Sequence, residues 1–296
     1  MTQAEDQAED QGAGQGLGDQ GVEILPVLDL QGGLIVHARR GQRTAYRPLV
    51  TPLATSAEPA AVLAGLLALY PFRTVYIADL DALAGHPAQV AQIAALAAHY
   101  PTCEIWLDAG QWTSDWPYRQ SPRIVPVVGT ESHPTLEGLL ACLAALSGEP
   151  GEPPREQPGD SPGRSSGRSP GDASGDPPRE SARGLPRERR MGPPVLSLDF
   201  RGEDLVGPAG ILAVPQRWPR QVIAMTLARV GAEVGPDLER LQQLRTLAPA
   251  VDLYAAGGVR DGADLAALAK LGVRGGLVAT ALHSGTLTPA ALRRWM

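Results

Sequence analysis

The chain has 296 residues, 43% of them apolar, and a formal charge of −6. That length accommodates one large barrel or two ordinary domains with a sizeable core, and the acidic balance excludes a general electrostatic field for nucleic acid or an anionic membrane surface. Every basic side chain except Lys270 and the histidines is an arginine, and an anionic ligand must be held by local groups rather than by net charge.

Residues 1–20 are acidic, glutamine-rich and almost without large apolar side chains, which predicts a disordered tail. They contain no basic segment followed by an apolar core, and no later stretch approaches the length of a membrane span, so a cytoplasmic protein is expected. Cys103 and Cys142 fit no metal-ligand spacing and are read as buried small residues in a reducing compartment.

From residue 21 onward, short β-branched runs alternate with alanine- and leucine-rich stretches. Strands are predicted over Val22–Leu28, Thr74–Ala78, Glu104–Leu107, Ile124–Val128, Val195–Leu198, Val222–Thr226, Asp252–Ala255 and Gly276–Ala279. Helical spacing of apolar residues predicts helices over Pro59–Tyr70, Pro87–His99, Thr135–Ala145, Pro236–Leu247 and Gly262–Leu271. The stretches Trp112–Ser121 and Gly207–Arg220 are weak as helices. Residues 148–192 are rich in Pro, Gly, Ser, Arg and Asp and cannot build a core. An interdomain linker is one reading of them, but neither flank is complete, since four parallel strands leave open edges. Eight strands with crossovers make a single α/β fold, a (βα)8 TIM barrel. The expected layout is a tail (1–20), a first half-barrel (21–147), a disordered insertion between the fourth and fifth strands (148–192) and a second half-barrel (193–296). A doubly wound sheet is the alternative, and the G-x-G-x-x-G turn that would favour it does not follow the first strand.

Function in such a barrel sits at the C-terminal strand ends. Aspartates stand at several of these: Asp29, Asp79, Asp81, Asp108 and Asp199. Any one of them serves equally as a helix N-cap. Asp29 and Asp199 come from opposite sides of the ring, however, and two carboxyls across a small ligand suit general acid-base isomerisation if their environments separate their pKa values. Asp79 and Asp81 are expected to orient the first loop rather than react. Ala-Ala-Gly-Gly-Val-Arg ending at Arg260 and the Ala279-Thr280 strand end make a candidate phosphate site from Gly257, Gly258, Ala279 and Thr280, in which backbone N–H groups approach the anion. A tight turn is the other reading of the glycine pair. Gly110 in Asp-Ala-Gly, with Gly129 and Thr130 in Val-Val-Gly-Thr, occupies the corresponding place in the first half and makes a second, weaker anion pocket. His37, Arg39, Arg40, Arg43 and Tyr46 belong to a loop that could close over substrate or simply be solvated, and His283 lies near the last strand end.

Taken in order, Ile-Leu-Pro-Val-Leu-Asp-Leu ending at Leu30, Tyr-Ile-Ala-Asp-Leu-Asp-Ala from Tyr76, Val-Val-Gly-Thr from Val127, Ser-Leu-Asp-Phe-Arg-Gly from Ser197, Ala-Gly-Gly-Val from Ala256 and Val-Ala-Thr-Ala-Leu from Val278 resemble the HisA/HisF family of isomerase and cyclase barrels in histidine biosynthesis. The resemblance implies that Asp29 is the catalytic base and Asp199 the acid, that Thr226 stands for the family's strand-six threonine, that the substrate is a small phosphorylated molecule carrying two phosphates in the isomerase, and that no metal or organic cofactor is used. The chain departs from the pattern where Val230 replaces a strand-six acid, where Asp108-Ala109-Gly110-Gln111 replaces a glycine-rich turn, and where Ala279 replaces a glycine. Those departures predict a different or smaller substrate. Leu-Asp-Leu-Gln-Gly-Gly, Ala-Arg-Val-Gly and Ala-Thr-Ala-Leu-His-Ser-Gly are similar to HisA-like proteins of methanogens and methylotrophs, which implies methanofuran- or methanopterin-linked one-carbon metabolism. The competing expectation is a non-catalytic phosphate-binding barrel, with the insertion as a segment for a protein partner.

Overall fold

The computed structural model describes residues 21–37, 46–113, 118, 121, 123–147, 192–232 and 234–295. The expected tail, all but Gly192 of the expected insertion, and Arg39, Arg40 and Arg43 lie outside them. Ten strands run in chain order: β1 (Glu23–Gln31), β2 (Leu34–Val36), β3 (Thr74–Asp79), β4 (Glu104–Asp108), β5 (Ile124–Gly129), β6 (Val195–Arg201), β7 (Asp204–Leu205), β8 (Gln221–Thr226), β9 (Asp252–Ala256) and β10 (Gly275–Val278). Parallel pairing proceeds through β1, β3, β4, β5, β6, β8, β9 and β10, and β10 pairs back onto β1 with Glu23 opposite Gly275 and Pro26 opposite Val278. This closes an eight-stranded barrel and leaves no sheet edge among those strands. The short β2 and β7 fold back antiparallel on β1 and β6, which is why both barrel strands extend past their expected ends, to Gln31 and Arg201.

Helices α1 (Pro59–Leu69), α2 (Leu80–Leu83), α3 (Val90–His99), α4 (Leu136–Ser147), α5 (Leu238–Leu247) and α6 (Gly262–Lys270) lie in crossovers between barrel strands, and α7 (Thr280–His283) and α8 (Pro289–Leu292) follow β10. The weak stretch before β8 contains 3₁₀ turns at Ala209–Ala213 and Pro215–Arg217 instead of an α-helix, because Pro208, Pro215 and Pro219 remove backbone donors at short intervals. Among the described residues no helix is long and apolar enough to cross a membrane.

Two cores follow from the two faces of the strands. Alternate residues point inward, and Leu25, Tyr76, Trp106, Val125, Val127, Val195, Ile223, Tyr254 and Leu277 make one apolar cluster inside the barrel. Trp106 and Tyr254 meet there edge to face, with ring centroids 4.8 Å apart across the lumen. The intervening residues, among them Leu28, Ile77, Leu107, Val128 and Leu198, join the helices in the outer core. Because both faces are buried, β3 and β5 are buried at all six positions, and their sequences are apolar runs rather than alternations.

Gly65 shows how tightly the outer layer is packed. A Cβ at this position would overlap the carbonyl of Leu53, so α1 can approach the 51–54 segment only with a glycine there. In an open helix Gly→Ala stabilises by about 1 kcal/mol. Here the sign should reverse: Gly65→Ala is expected to lower the unfolding free energy by about 1–3 kcal/mol in a denaturant titration, the usual cost of overpacking.

Candidate functional site

The alternation that fills the barrel also selects the side chains at its mouth. Counting upward in steps of two from the inward residues Leu25, Trp106 and Val195 reaches Asp29, Asp108 and Asp199 at the C-terminal ends of β1, β4 and β6. All three line a cavity of about 360 Å3, within the range of small-ligand sites. Asp79 is out of phase with Tyr76 and so does not join them.

Asp199 is the most enclosed of the three, only 4% exposed. Its Oδ1 accepts from the Ser197 hydroxyl at 2.7 Å, and its Oδ2 accepts from the Thr130 hydroxyl at 3.2 Å and the Glu131 amide at 3.0 Å. The Thr130 hydroxyl in turn accepts from the Asp199 amide at 3.0 Å. Gly129 lies beneath this group, and a Cβ there would stand 3.1 Å from one Asp199 oxygen and 3.9 Å from one of Asp108. Asp108 accepts a 2.9 Å hydrogen bond from the buried Tyr76 hydroxyl and a longer one, 3.4 Å, from the Gly110 amide. Burial, with the Asp108 charge as the next cause, pushes Asp199 up to about 7. Burial and the surrounding carboxylates, Asp108 before Asp199 and Asp29, hold the Tyr76 phenol well above its ordinary range, so it stays a donor.

The opposite side of the cavity is built from Arg229, Gly257, Gly258, Arg260, Thr280 and Ser284. Gly257 and Gly258 have φ of +96° and +92°, a region side chains avoid. A Cβ on Gly257 would lie 2.7 Å from the Thr226 carbonyl, and one on Gly258 would overlap the Gly235 carbonyl. Arg229 donates to that same Gly235 carbonyl at 3.0 Å, and Arg260 is held by Asp264 through two 2.9 Å contacts. Val27, Tyr46, Leu80, Leu83, Met225 and Leu277 supply apolar walls. A smaller annex of about 200 Å3 adjoins at Asp29, Thr280 and Ser284, and its lining includes His37, Leu49 and His283. Burial, then the His37 charge, brings His283 down to about 4, and its Nδ1 lies 3.3 Å from the Thr51 hydroxyl.

The cavity therefore collects Asp29, Asp199, Gly257, Gly258, Ala279 and Thr280 from the residues singled out in the sequence. Gly110, Gly129 and Thr130 are beside it, with their groups directed to Asp108 and Asp199 as described above. Asp79 is fully buried and caps α2, accepting from the amides of Ala82 at 3.1 Å and Gln89 at 2.7 Å. Asp81 accepts from the Gly32 amide at 2.7 Å and from the Gln89 side chain, fixing the β1–β2 turn. Thr226 is buried under the glycine turn. Among the described residues, no cluster of three or more His, Cys, Asp or Glu is arranged to hold a metal. Tyr76, Glu131, Arg229 and Arg260 are cavity residues that the sequence patterns missed. The arginines carried a signal, since each lies within three residues of a strand-end turn. Glu131, two residues past the end of β5, carried the same one, and Tyr76 carried none.

Two buried groups at this end titrate in opposite senses. Asp199 has a folded pKa above its unfolded value, so its ionisation costs stability as pH rises from about 4 to about 7. His283 has a folded pKa below its unfolded value, so stability is lost as pH falls from 6.5 to about 4. The two partly cancel in the wild type. Asp199→Asn is expected to steepen the loss of stability between pH 7 and pH 4, read as denaturation midpoints across that range, and an unchanged slope would contradict the burial described for Asp199.

A family model described as "Histidine biosynthesis protein" matches residues 212–288, the stretch holding β8, β9, β10 and α7, which is less than half of the chain. No curated protein matches the chain. The matched segment contributes the glycine pair, both arginines and Thr280 to the cavity, and together with the closed eight-stranded parallel barrel it supports a HisA/HisF-like barrel.

Proposed function

We propose that this barrel is an acid-base isomerase, or a closely related lyase, acting on a small phosphorylated substrate. The observation that carries the reading is the placement of Asp29 and Asp199 on opposite barrel strands lining one small cavity, with Asp199 pushed up to about 7. A carboxyl protonated near neutral pH is a general acid in the form required at the start of a turnover. Asp199 gives its proton to the ring oxygen as the bond from that oxygen to C1 breaks, Asp29 takes the C2 proton and returns it to C1, and the C2 hydroxyl gives its proton back to Asp199 as C2 becomes a carbonyl. The substrate phosphate lies against Gly257, Gly258, Ala279 and Thr280, where Arg229 and Arg260 supply local positive charge in a chain of net charge −6. A cavity of this size favours a substrate of roughly one sugar or ring plus its phosphate.

A non-catalytic phosphate-binding barrel is the second reading, favoured by one observation: apolar Val230 lines the cavity where the resembling isomerase pattern has an acid. The place in one-carbon metabolism rests on the sequence resemblance alone.

Thermal unfolding of the whole chain with inorganic phosphate, the histidine-pathway ribotide, single-phosphate sugars and furan phosphates tests binding. A ligand at one hundred times its Kd adds about 2.7 kcal/mol to the folded state, which is readily visible as a Tm shift. Stabilisation by the ribotide favours the histidine-pathway reaction, and stabilisation by the smaller phosphates alone favours a divergent substrate. With the substrate so found, Asp29→Asn and Asp199→Asn should each reduce kcat by about a hundredfold or more while leaving the circular dichroism spectrum unchanged. Full turnover in both variants would leave only the binding role.

A further inference from the structure

The two halves of the cavity have opposite chemistry, and this limits how many phosphates the substrate can carry. Arg229, Arg260, Gly257, Gly258 and Thr280 line one side, and Asp108, Asp199, Glu131 and Tyr76 line the other. Four donors on the acidic side are already directed to carboxylates. The Gly110 amide and the Tyr76 hydroxyl donate to Asp108, and the Thr130 hydroxyl and Glu131 amide donate to Asp199. Gly129, which lacks a side chain, leaves space that is filled by the Asp199 and Asp108 carboxylates, 3.1 and 3.9 Å from where its Cβ would stand. A dianion placed here would face the Asp108 carboxylate, and the amide and hydroxyl donors named above are already engaged.

Building on the proposed phosphate-binding role, we infer that Asp108 is a specificity-determining residue that closes the β4–β6 side of the cavity to a second phosphate, so that the substrate is a monophosphate presenting a neutral or cationic hydrogen-bond donor to Asp108. Asp108 does so by position. It is the inward residue at the top of β4, two steps along from Trp106, and its contact with Tyr76 holds its carboxylate toward the lumen. A hydroxyl or an amine on the substrate would complete the hydrogen bonding of the Asp108 carboxylate, and a phosphate would be repelled by it.

The test is calorimetric titration of the full chain with two probes, ribose 5-phosphate and ribulose 1,5-bisphosphate, in the wild type and in Asp108→Asn. The wild type should bind the monophosphate at least about tenfold more tightly. Asp108→Asn keeps an acceptor for Tyr76 but removes the charge, and should raise the ratio of bisphosphate to monophosphate affinity by about tenfold. Wild-type binding of the bisphosphate as tight as that of the monophosphate overturns the inference and leaves the phosphate-binding reading standing. Failure of both probes and of inorganic phosphate to bind overturns that underlying reading and the inference with it. The wild-type comparison alone decides between these outcomes if Asp108→Asn does not fold.

Discussion

Burying the Asp199 carboxylate is the constraint on which the mouth of this barrel depends. A carboxylate removed from water needs hydrogen bonds or a proton, and the chain supplies both. Three donors reach it from Ser197, Thr130 and Glu131, and the nearby Asp108 raises the cost of its ionised form. Those donors fix neighbouring choices. Thr130 must be buried with its hydroxyl between the Asp199 amide and carboxylate, and the position below must be a glycine to leave the two carboxylates room. A short sequence, Val-Val-Gly-Thr, is thus shaped by a residue about seventy positions away in the chain, a span set by the 69-residue separation of Thr130 and Asp199.

The glycine turn on the other side shows a different kind of constraint. Gly257 and Gly258 would be required even in an empty barrel, because both have positive φ and both press on backbone carbonyls, of Thr226 and Gly235. The tight-turn reading and the anion-site reading are therefore not rivals. Close packing removes the side chains, and the bare backbone that results is then left facing the cavity, between two arginines. Asp264 and Asp237 anchor those arginines at the rim, Asp264 by direct hydrogen bonds and Asp237 at a longer 3.8 Å, so their positive charge is presented from a fixed place rather than from flexible side chains.

The barrel was legible from the sequence because parallel strands buried on both faces appear as short apolar runs, and all eight runs became barrel strands with ends shifted by a few residues. The larger shifts have a physical origin. β1 and β6 continue into hairpin returns whose polar residues, such as Gln31 and Arg201, do not read as strand. The same two-sided burial hid the phase of each strand: with Ile105, Trp106 and Leu107 all apolar, nothing local says which of them faces the lumen. Asp79 and Asp108 look alike in sequence, each following an apolar run, yet one caps a helix outside the barrel and the other stands in the cavity. Asp29 and Asp199 were found by their opposition in an eight-membered ring, a property of strand count that does not need the phase.

Asp108 also changes how the departures from the family pattern should be weighed. Read separately, the loss of an acid at Val230 and the loss of a glycine-rich turn after β4 are two independent erosions of a binding site. In the folded chain they are one redistribution of charge: the cavity wall next to Arg229 carries apolar Val230, and a carboxylate, Asp108, stands beside Asp199, where it raises the proton affinity of Asp199. Three donors are ordered around Asp199, a tyrosine hydroxyl reaches Asp108, and a glycine lies between the two carboxyl groups. Buried, hydrogen-bonded carboxylates are expensive for stability, and a barrel that served only as a scaffold would be more stable with apolar residues at these positions. Their placement across the cavity from the arginines puts buried carboxyl groups and positive charge on separate sides of one site.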